Sequence, residues 1–322
     1  MNQLNQPNTP SVSVAILTYV PFLRGFHRYG LDVLKLSLRS LLRNTTLPCE
    51  LMIFDNGSCE EVISFLRGLQ VEGKVDYLFL SDKNIGKVGA WNVIFGSAQN
   101  EYIAYADSDV YYKPGWLTKH IEVFECFPNV GTVTGQPRRR RSTFSENSLR
   151  IARQIPDLDV QIGKHIPESW TMEHLRSLGK LEALSEDLER DDYLLTYKGV
   201  SAYITAQHHQ FVVRREVVQN FLPFPFDRPM GADVARFDHA IDGSNLLRLA
   251  VADRVILNLS NRPDEELLAK IELPEEEFPE ISKSSHPTGA FAQRFLNLKH
   301  VRRFLLAIHS AIFRMYYYSK MV

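Results

Sequence analysis

The chain has few cysteines and almost no net charge. Its 37 Lys and Arg residues nearly balance 38 Asp and Glu residues, for a net charge of −1. This balance argues against nucleic-acid binding through bulk charge. The three cysteines, Cys49, Cys59 and Cys126, have no metal-site spacing. Because free thiols persist in reducing compartments, we expect a cytoplasmic protein.

Long apolar runs are also missing. No stretch approaches the ~20 residues that a membrane-spanning helix needs. Residues 1–11 are polar and lack the apolar core of a signal peptide. The sequence therefore predicts a protein that stays in the cytoplasm, either soluble or peripheral at the inner face of the membrane.

Glycine-rich phosphate loops are absent after the predicted strands. No G-x-G-x-x-G is found, which argues against a dinucleotide-dependent dehydrogenase. Thr18-Tyr19-Val20-Pro21 follows the first predicted strand, where a sugar-nucleotide pyrophosphorylase would need glycines. Two classes of nucleotide enzyme are thereby disfavoured.

The first half of the chain alternates between two hydrophobic patterns. Compact apolar runs, typical of buried strands, occur at 12–19, 49–54, 75–80, 102–106 and 130–134. Segments with helical spacing lie between or after them, at 31–43, 60–69, 84–100 and 116–127. Such alternation predicts an α/β fold with a mostly parallel central sheet and helices on both faces.

The second half is less regular. Four arginines occupy positions 138–141, which we interpret as a solvated loop rather than a site for an anionic acceptor. Residues 142–190 are polar and poorly periodic, 200–213 are apolar, 238–252 have helical spacing, and 254–259 resemble a strand. Residues 261–287 are acidic and contain proline, and 291–318 return to helical spacing.

The most informative motif is Asp107-Ser108-Asp109, directly after an apolar run. Carboxylates two residues apart on a strand point to the same side. At the carboxyl end of a central strand, that side is the crevice where open α/β sheets bind ligands. Paired carboxylates there can hold a hard divalent cation, and the cation can hold a diphosphate. The alternative is an acidic turn without a ligand.

Three other polar segments follow predicted strands: Thr18-Tyr19, Asp55-Asn56-Gly57-Ser58 and the loop at Asn84. In a parallel sheet all of them converge with Asp107 and Asp109 on one crevice. Convergence of this kind is stronger evidence for a site than any single motif.

In order and spacing, these motifs resemble the nucleotide-sugar-binding half of family 2 glycosyltransferases with the GT-A fold. The matching residues are VAILTY at 14–19, DNGS at 55–58, Asn84-x-Gly86-x-x-x-Ala90-x-Asn92 and DSD at 107–109. The resemblance covers about the first 135 residues well and the remainder loosely. It departs at Trp91, where the family often has an arginine, and Lys87 is a candidate substitute for phosphate contact.

The resemblance implies roles for individual residues. Asp107 and Asp109 would bind Mg²⁺ or Mn²⁺, with Asp107 shared between metal and ribose. Asp55 would accept a hydrogen bond from the nucleotide base, the alternative being a turn that caps the strand. The implied contacts of the nucleotide-diphosphate sugar are Thr18, Tyr19, Asp55, Asn84, Gly86, Lys87, Asn92 and Asp107.

Transfer to an acceptor hydroxyl also needs a general base. The family pattern is an acidic pair before a Leu-rich helix with an arginine, which Asp242 before Leu246-Leu247-Arg248 resembles. Asp238 lies one helical turn earlier, and Asp233 is a third candidate. We predict Asp242 or Asp238 as the base. His208 and His209 precede a strand-like segment and are interpreted as structural.

The resemblance therefore implies an inverting, metal-dependent glycosyltransferase of the hexosyltransferase type, acting on a glycan or a lipid-linked glycan. The alternative is a GT-A-like scaffold that binds nucleotide sugar with little turnover.

The C-terminal segment mixes aromatics with Arg and Lys, so we expect either membrane contact or packing as a homodimer. The predicted organisation is a disordered tail (1–11), a nucleotide-sugar-binding half (12–135), an acceptor-binding half (136–260), an acidic linker (261–290) and an amphipathic helix (291–322).

Overall fold

The first half of the chain folds as the predicted alternation of strands and helices. The computed structural model describes residues 10–139, 144–205, 207–225 and 234–261. The elements up to the acidic motif are β1 (Val12–Thr18), α1 (Gly30–Asn44), β2 (Cys49–Asp55), α2 (Glu60–Val71), β3 (Tyr77–Leu80), α3 (Gly86–Ser97) and β4 (Tyr102–Asp107). A short 3₁₀ turn, Gly25–His27, precedes α1.

The second half contains shorter elements. In chain order they are β5 (Val110–Tyr112), α4 (Trp116–Cys126), β6 (Val130–Thr134), α5 (Phe144–Ala152), β7 (Asp159–Gly163), α6 (Glu168–Ser177), α7 (Leu184–Glu189), β8 (Asp192–Tyr197), β9 (Val200–Ile204), β10 (Gln210–Arg214), α8 (Arg215–Gln219), α9 (Val234–Gly243), β11 (Leu247–Val251) and β12 (Ile256–Asn258).

Within the described residues, ten strands form one sheet in the order β3-β2-β1-β4-β10-β6-β11-β9-β8-β7. The β3-β2-β1-β4 part is parallel, whereas β10 enters antiparallel between β4 and β6. Seven of the ten strands point in the same direction, so the predicted mostly parallel α/β class is confirmed. A small second sheet pairs β5 with β12.

Alternate residues of β1 enter separate apolar cores on the two faces of the sheet. Val14 and Ile16 pack with leucines of α1 and α2, while Ala15 and Leu17 pack with α3. Helices α8 and α9 contribute to the same core as α3. Because β1 is buried on both faces, it reads as a continuous apolar run, as central parallel strands do.

The second half contains elements that the sequence patterns left unassigned, and one expectation needs correction. The poorly periodic segment 142–190 contains α5, β7, α6 and α7. The apolar stretch 200–213 corresponds to the two strands β9 and β10. The helix expected over 238–252 ends at Gly243, and residues 247–251 form the fully buried strand β11.

The change from α9 to β11 is made at Asn245, whose φ of +55° is left-handed. Burial of β11 between β6 and β9 overrides the helical spacing of its leucines. Among the described residues, no helix is long and apolar enough to cross a membrane. Most of the predicted N-terminal tail, nearly all of the acidic linker and the whole C-terminal helix lie outside the described residues.

Candidate active site

The predicted site residues of the first half meet at the carboxyl edge of the parallel strands. In the register of the sheet, Thr18 pairs with Asp55, and Leu17 pairs with Asp107. The loops after β1, β2 and β4 therefore leave the sheet side by side. Thr18 is buried, and its Oγ1 has no hydrogen-bond partner in the part of the chain that the structure describes.

Asp55 stabilises the turn after β2 with one carboxylate oxygen, while its other oxygen has no hydrogen-bond partner among the described residues. Its Oδ1 accepts hydrogen bonds from the backbone N–H groups of Gly57 (3.1 Å) and Ser58 (2.9 Å). Its Oδ2 is buried and has no partner within the described ranges. The turn interpretation is therefore correct for one oxygen, while the other retains the accepting capacity expected for contact with a base.

An amide pair connects the loop after β2 to the start of α3. Asn56 Oδ1 accepts from the Ile85 N–H (2.8 Å), and Asn56 Nδ2 donates to Asn84 Oδ1 (3.0 Å). Asn84 Oδ1 also accepts from the Gly86 N–H (2.7 Å). Gly86 has a φ of +78°, a left-handed conformation that favours glycine. The Asn84 loop is thereby fixed against the Asp55 turn.

Gly57 permits the close contact between these two loops. Its φ is +90°, and a Cβ added there would lie 2.9 Å from the backbone carbon of Lys83. Any side chain at this position would push the loops apart. The glycine of the DNGS motif is thus required by packing as well as by conformation.

Asp107 is held from two directions. Its Oδ2 lies 2.7 Å from Lys87 Nζ, and its Oδ1 accepts a hydrogen bond of 2.6 Å from the hydroxyl of Tyr105. Burial and the neighbouring carboxylate raise the pKa of Tyr105 well above its usual value, so the hydroxyl stays a donor. The backbone N–H of Asp107 donates to the carbonyl of His209 (2.7 Å), which connects β4 to the start of β10.

Asp109 is the group in this cluster whose charge is least compensated. Its Oδ1 is buried and has no hydrogen-bond partner among the described residues. Burial, and then repulsion from Asp107, raise the pKa of Asp109 to about 6, although Lys87 opposes the shift. Its carbonyl accepts the N–H of Leu259 (2.7 Å), so the end of the second sheet fixes its backbone.

A divalent cation fits this pair of carboxylates. An ionised, buried oxygen without a donor is stabilised by a cation, and carboxylates are preferred ligands of Mg²⁺ and Mn²⁺. The described residues contain no group of three or more His, Cys, Asp or Glu side chains arranged around a metal position. A cation bound here would therefore take its other ligands from substrate oxygens and water, as Mg²⁺ often does.

Lys87 and Trp91 lie one turn apart on α3, but Trp91 is buried in the core whereas Lys87 reaches the cleft. Trp91 is completely buried among aromatic rings, including those of Phe95 and Phe237. Lys87 Nζ lies 5.6 Å from the centre of the Trp91 ring and reaches Asp107. Trp91 is thus a core residue, and Lys87 is the cation of α3 that lies at the cleft.

Asn92 and Tyr19 lie at the periphery of this cluster. Both ends of the Asn92 amide bond the backbone of Phe224, at 2.9 and 2.7 Å, so this side chain positions the segment after α8. Tyr19 is 40% exposed and lies next to His27.

The acidic residues of α9 surround a buried arginine. Arg248 on β11 makes ion pairs with Asp238 and, at 3.2 Å, with Asp242. Asp238 Oδ2 also lies 3.0 Å from His208 Nε2. Since His208 adjoins His209, whose carbonyl holds Asp107, this network lies next to the carboxyl end of β4.

The two candidate bases differ within this network. Both oxygens of Asp238 are engaged, whereas Asp242 Oδ1 has no partner among the described residues. Burial raises the pKa of Asp242 above its usual value, although Arg248 opposes the effect. Asp233, the third candidate, lies outside the described residues.

One residue of the arginine run is not solvated. Arg139 is buried, with its guanidinium 3.4 Å from Asp192 and 2.7 Å from the carbonyl of Ile166. The expectation of a solvated loop is therefore wrong at this position, because the β8 carboxylate compensates the buried charge. Arg140 and Arg141 lie outside the described residues.

Two contributors to the cleft were not predicted. Tyr105 lies two residues before Asp107, so strand alternation alone places their side chains on the same face. The carbonyl of His209 reaches Asp107 only because β10 inserts beside β4, a pairing between distant parts of the sequence. The position of Tyr105 could have been predicted from the alternation of side chains on β4, whereas nothing local in the sequence indicates the contact of His209.

Comparison with known proteins identifies the family to which part of this chain belongs. The family model for glycosyl transferase family 2 matches residues 25–184. This part of the chain belongs to that family, which confirms the resemblance read from the motifs.

Individual relatives are more distant. A curated protein described as an uncharacterized glycosyltransferase, from Nostoc sp., is 30% identical over 122 residues. The match spans 38% of this chain and 35% of the relative, so the chain covers about a third of that protein's length.

Two solved structures illustrate the degree of structural similarity. A mannosyltransferase from Pyrobaculum calidifontis, in complex with GDP-Man and Mn²⁺, is 16% identical with a TM-score of 0.49, covering 82% of this chain and 60% of that one. GalNAc-T7 with UDP, GalNAc and Mn²⁺ is 12% identical with a TM-score of 0.49, covering 77% and 43%.

Proposed function

We propose that this glycosyltransferase is an inverting, metal-dependent enzyme of the hexosyltransferase type. It transfers a sugar from a nucleotide-diphosphate sugar to a hydroxyl of a glycan or lipid-linked glycan. The observation that carries the proposal is Asp109, a buried carboxylate with an unpartnered oxygen, beside Asp107 at the edge where Thr18 and Asp55 also end.

The donor nucleotide is held by the loops after β1 and β2. Asp55 Oδ2 accepts from the base, and Thr18 Oγ1 lies at the adjoining strand end. Tyr19 is exposed enough to cover the ribose or base. Asn84 and Gly86 place the start of α3 against this pocket, and Asn92 supports it indirectly through Phe224.

The diphosphate is held near Lys87, Asp107 and Asp109. Bound to Asp109 and Asp107, Mg²⁺ or Mn²⁺ would act as a Lewis acid that neutralises the charge of the leaving diphosphate. Lys87 adds a fixed positive charge from α3, and Tyr105 keeps Asp107 oriented. The chain's own residues thus position the leaving group before the glycosidic bond breaks.

Asp242 or Asp238 takes the proton from the acceptor hydroxyl. Of the two, Asp242 has the available oxygen and the raised pKa, both of which favour a base. Asp242→Asn is expected to retain nucleotide-sugar binding and to lose nucleotide release. If Asp242→Asn releases nucleotide as fast as the wild type, the base is Asp238 or another residue.

The ion pair between Lys87 and Asp107 favours one alternative, a scaffold that binds nucleotide sugar with little turnover. A lysine that already neutralises Asp107 competes with the metal for this carboxylate. Lys87→Met discriminates between the two functions. In an enzyme this variant strengthens Mn²⁺ binding but slows nucleotide release, whereas a scaffold shows no release before or after the change.

A thermal-shift panel of UDP-, GDP- and dTDP-sugars, each with and without Mn²⁺, tests donor binding. A ligand at ~100 times its dissociation constant stabilises the fold by about 2.7 kcal/mol. We expect one nucleotide class to stabilise the wild type in the presence of Mn²⁺ and Asp109→Asn to abolish this effect. Asp159→Asn, at an exposed position on β7, is the matched control. Stabilisation by none of the donors would contradict the proposal.

A further inference from the structure

The segment that follows β1 exposes an unusual amount of apolar surface. In this aromatic loop, residues 19–29, Tyr19 is 40% exposed, Phe22 43% and Phe26 72%. Among the described residues, nine large apolar side chains are exposed, and three of them fall within the eight positions from Tyr19 to Phe26. Scattered apolar side chains need no explanation, but a local cluster marks an interaction surface.

The base of the aromatic loop is fixed to the fold. The Val20 N–H donates to Ser58 Oγ, and the Val20 carbonyl accepts from the Cys59 N–H, both at 2.9 Å. Leu23 packs against the core next to α1. Val20 and Leu23 thus attach the loop to the core, whereas Phe22 and Phe26 remain exposed.

The exposed rings are grouped around His27. The ring centroids of Phe22 and Phe26 lie 5.3 and 5.1 Å from the imidazole, in edge-to-face geometry, and that of Tyr19 lies 6.2 Å away. This packing gives a preformed apolar surface rather than independent side chains. A single nucleotide base has two faces and stacks on one or two rings, so it leaves part of this surface uncovered.

Positive charge accompanies the rings. Arg24 lies 5.4 Å above the ring of Phe22, and Arg28 lies 5.4 Å above that of Tyr29. Both arginines are exposed, and no Asp or Glu occurs from Thr18 to Leu31. Aromatic rings interleaved with arginine are the composition of a surface that enters the interface of an anionic bilayer.

We propose that the aromatic loop is a membrane-docking surface, with Phe22 and Phe26 entering the interface and Arg24 and Arg28 contacting anionic headgroups. The loop shares only Tyr19 with the proposed donor pocket, and the four residues altered below, Phe22, Arg24, Phe26 and Arg28, have no assigned role in the transfer reaction. Because Val20 contacts Ser58 and Cys59, just after the Asp55 turn, docking would hold the carboxyl edge of the sheet near the bilayer.

Vesicle co-sedimentation of the full chain tests the proposal. Phosphatidylcholine vesicles with and without phosphatidylglycerol are compared for the wild type, Phe22→Ser/Phe26→Ser and Arg24→Gln/Arg28→Gln. The matched control, Val71→Ser/Tyr77→Ser, removes apolar side chains that are 88% and 45% exposed elsewhere. Thermal unfolding and nucleotide-sugar thermal shifts are recorded for every variant.

The wild type is expected to bind the anionic vesicles. Since interfacial binding scales with buried apolar area, losing both phenylalanines should weaken it by about tenfold or more. The arginine variant should lose the preference for anionic lipid, and the control should bind within about twofold of the wild type. Unfolding temperatures should remain unchanged, because the altered side chains are exposed.

Two results overturn the proposal. One is a wild type that does not sediment with anionic vesicles, or a phenylalanine variant that sediments equally well. The other is a phenylalanine variant that keeps vesicle binding and loses the nucleotide-sugar thermal shift, which would make the loop a wall of the donor pocket. Failure of all donors to bind leaves the vesicle result interpretable, so the two proposals fail separately.

Discussion

The buried position of Asp109 destabilises the folded state, and its carboxylate is a group that can bind a cation. A carboxylate whose pKa is raised to about 6 by burial and by Asp107 is ionised at neutral pH at a cost to the fold. Relative to its ordinary value near 3.8, the shift corresponds to about 3 kcal/mol of differential stability. A bound cation would compensate the charge of Asp109 and offset this loss of stability.

This cost predicts the effect of Asp109→Asn on stability. Because the amide carries no charge, the free energy of unfolding at pH 7 should not fall, and should rise by up to about 3 kcal/mol. Asp107→Asn should raise stability less than Asp109→Asn does, because relief of the repulsion on Asp109 is offset by loss of the ion pair with Lys87. Urea denaturation of both variants without metal is the measurement, and loss of stability in Asp109→Asn would contradict the account.

Because His120 is buried, we predict a pH dependence of stability that arises away from the cleft. Burial lowers the pKa of His120 to about 4, and its Nδ1 lies 2.6 Å from the Trp116 carbonyl. The unfolded chain therefore takes up this proton first, and stability falls as pH drops from about 6.5 towards 4. At pH 5 the loss due to His120 is about 2 kcal/mol relative to pH 7.

His120→Gln tests this dependence. The variant removes the titrating group, so its stability should fall less between pH 7 and pH 5 than that of the wild type. His27→Gln, in the half-exposed loop after β1, is the control. Parallel pH profiles for the wild type and His120→Gln in chemical denaturation would show that another group is responsible.

At the scale of elements, the contact between α9 and β11 depends on charge. Arg248 is 3% exposed and carries the ion pairs to Asp238 and Asp242. Removal of one partner from a buried network leaves uncompensated charge, which typically costs about 3–5 kcal/mol. Helix α9 is thereby held against β11 by charge as well as by the core contacts of Phe237 and Ile241.

Arg248→Met measures the strength of this contact. We expect a loss of about 3–5 kcal/mol in the free energy of unfolding, because the buried carboxylate of Asp238 and the partly buried one of Asp242 lose this cation. Arg150→Met, at an exposed position on α5, should change stability by less than about 0.5 kcal/mol. Equal values for the two variants would mean that the network contributes little to the fold.

Predictability from sequence also differs between elements. From β1 to β6 the predicted and observed elements agree closely apart from the short strand β5, because the other strands are compact apolar runs separated by segments with helical spacing. Residues 238–252 show the limit. Their leucines have helical spacing, yet residues 247–251 lie between β6 and β9, where tertiary burial determines the conformation.

At the scale of the whole molecule, the strands in the two halves of the sheet are connected in different ways. Strands β1 to β4 are parallel and joined by local crossovers, so the convergence of Thr18, Asp55 and Asp107 followed from motif order. Strands β10, β6, β11 and β9 are neighbours in an order unlike their order in the sequence. The cluster of Thr18, Asp55 and Asp107 was therefore predictable, whereas the His208–Asp238 contact was not.

Release of nucleoside diphosphate tests the central claim most directly. The measurement compares wild type and Asp109→Asn, each with Mn²⁺ and with the donor that gives a thermal shift. The wild type should release nucleotide, and the variant should be slower by at least about a hundredfold, since charge neutralisation of the leaving group contributes several kcal/mol. Equal rates for the two proteins would contradict the proposed role of the acidic pair.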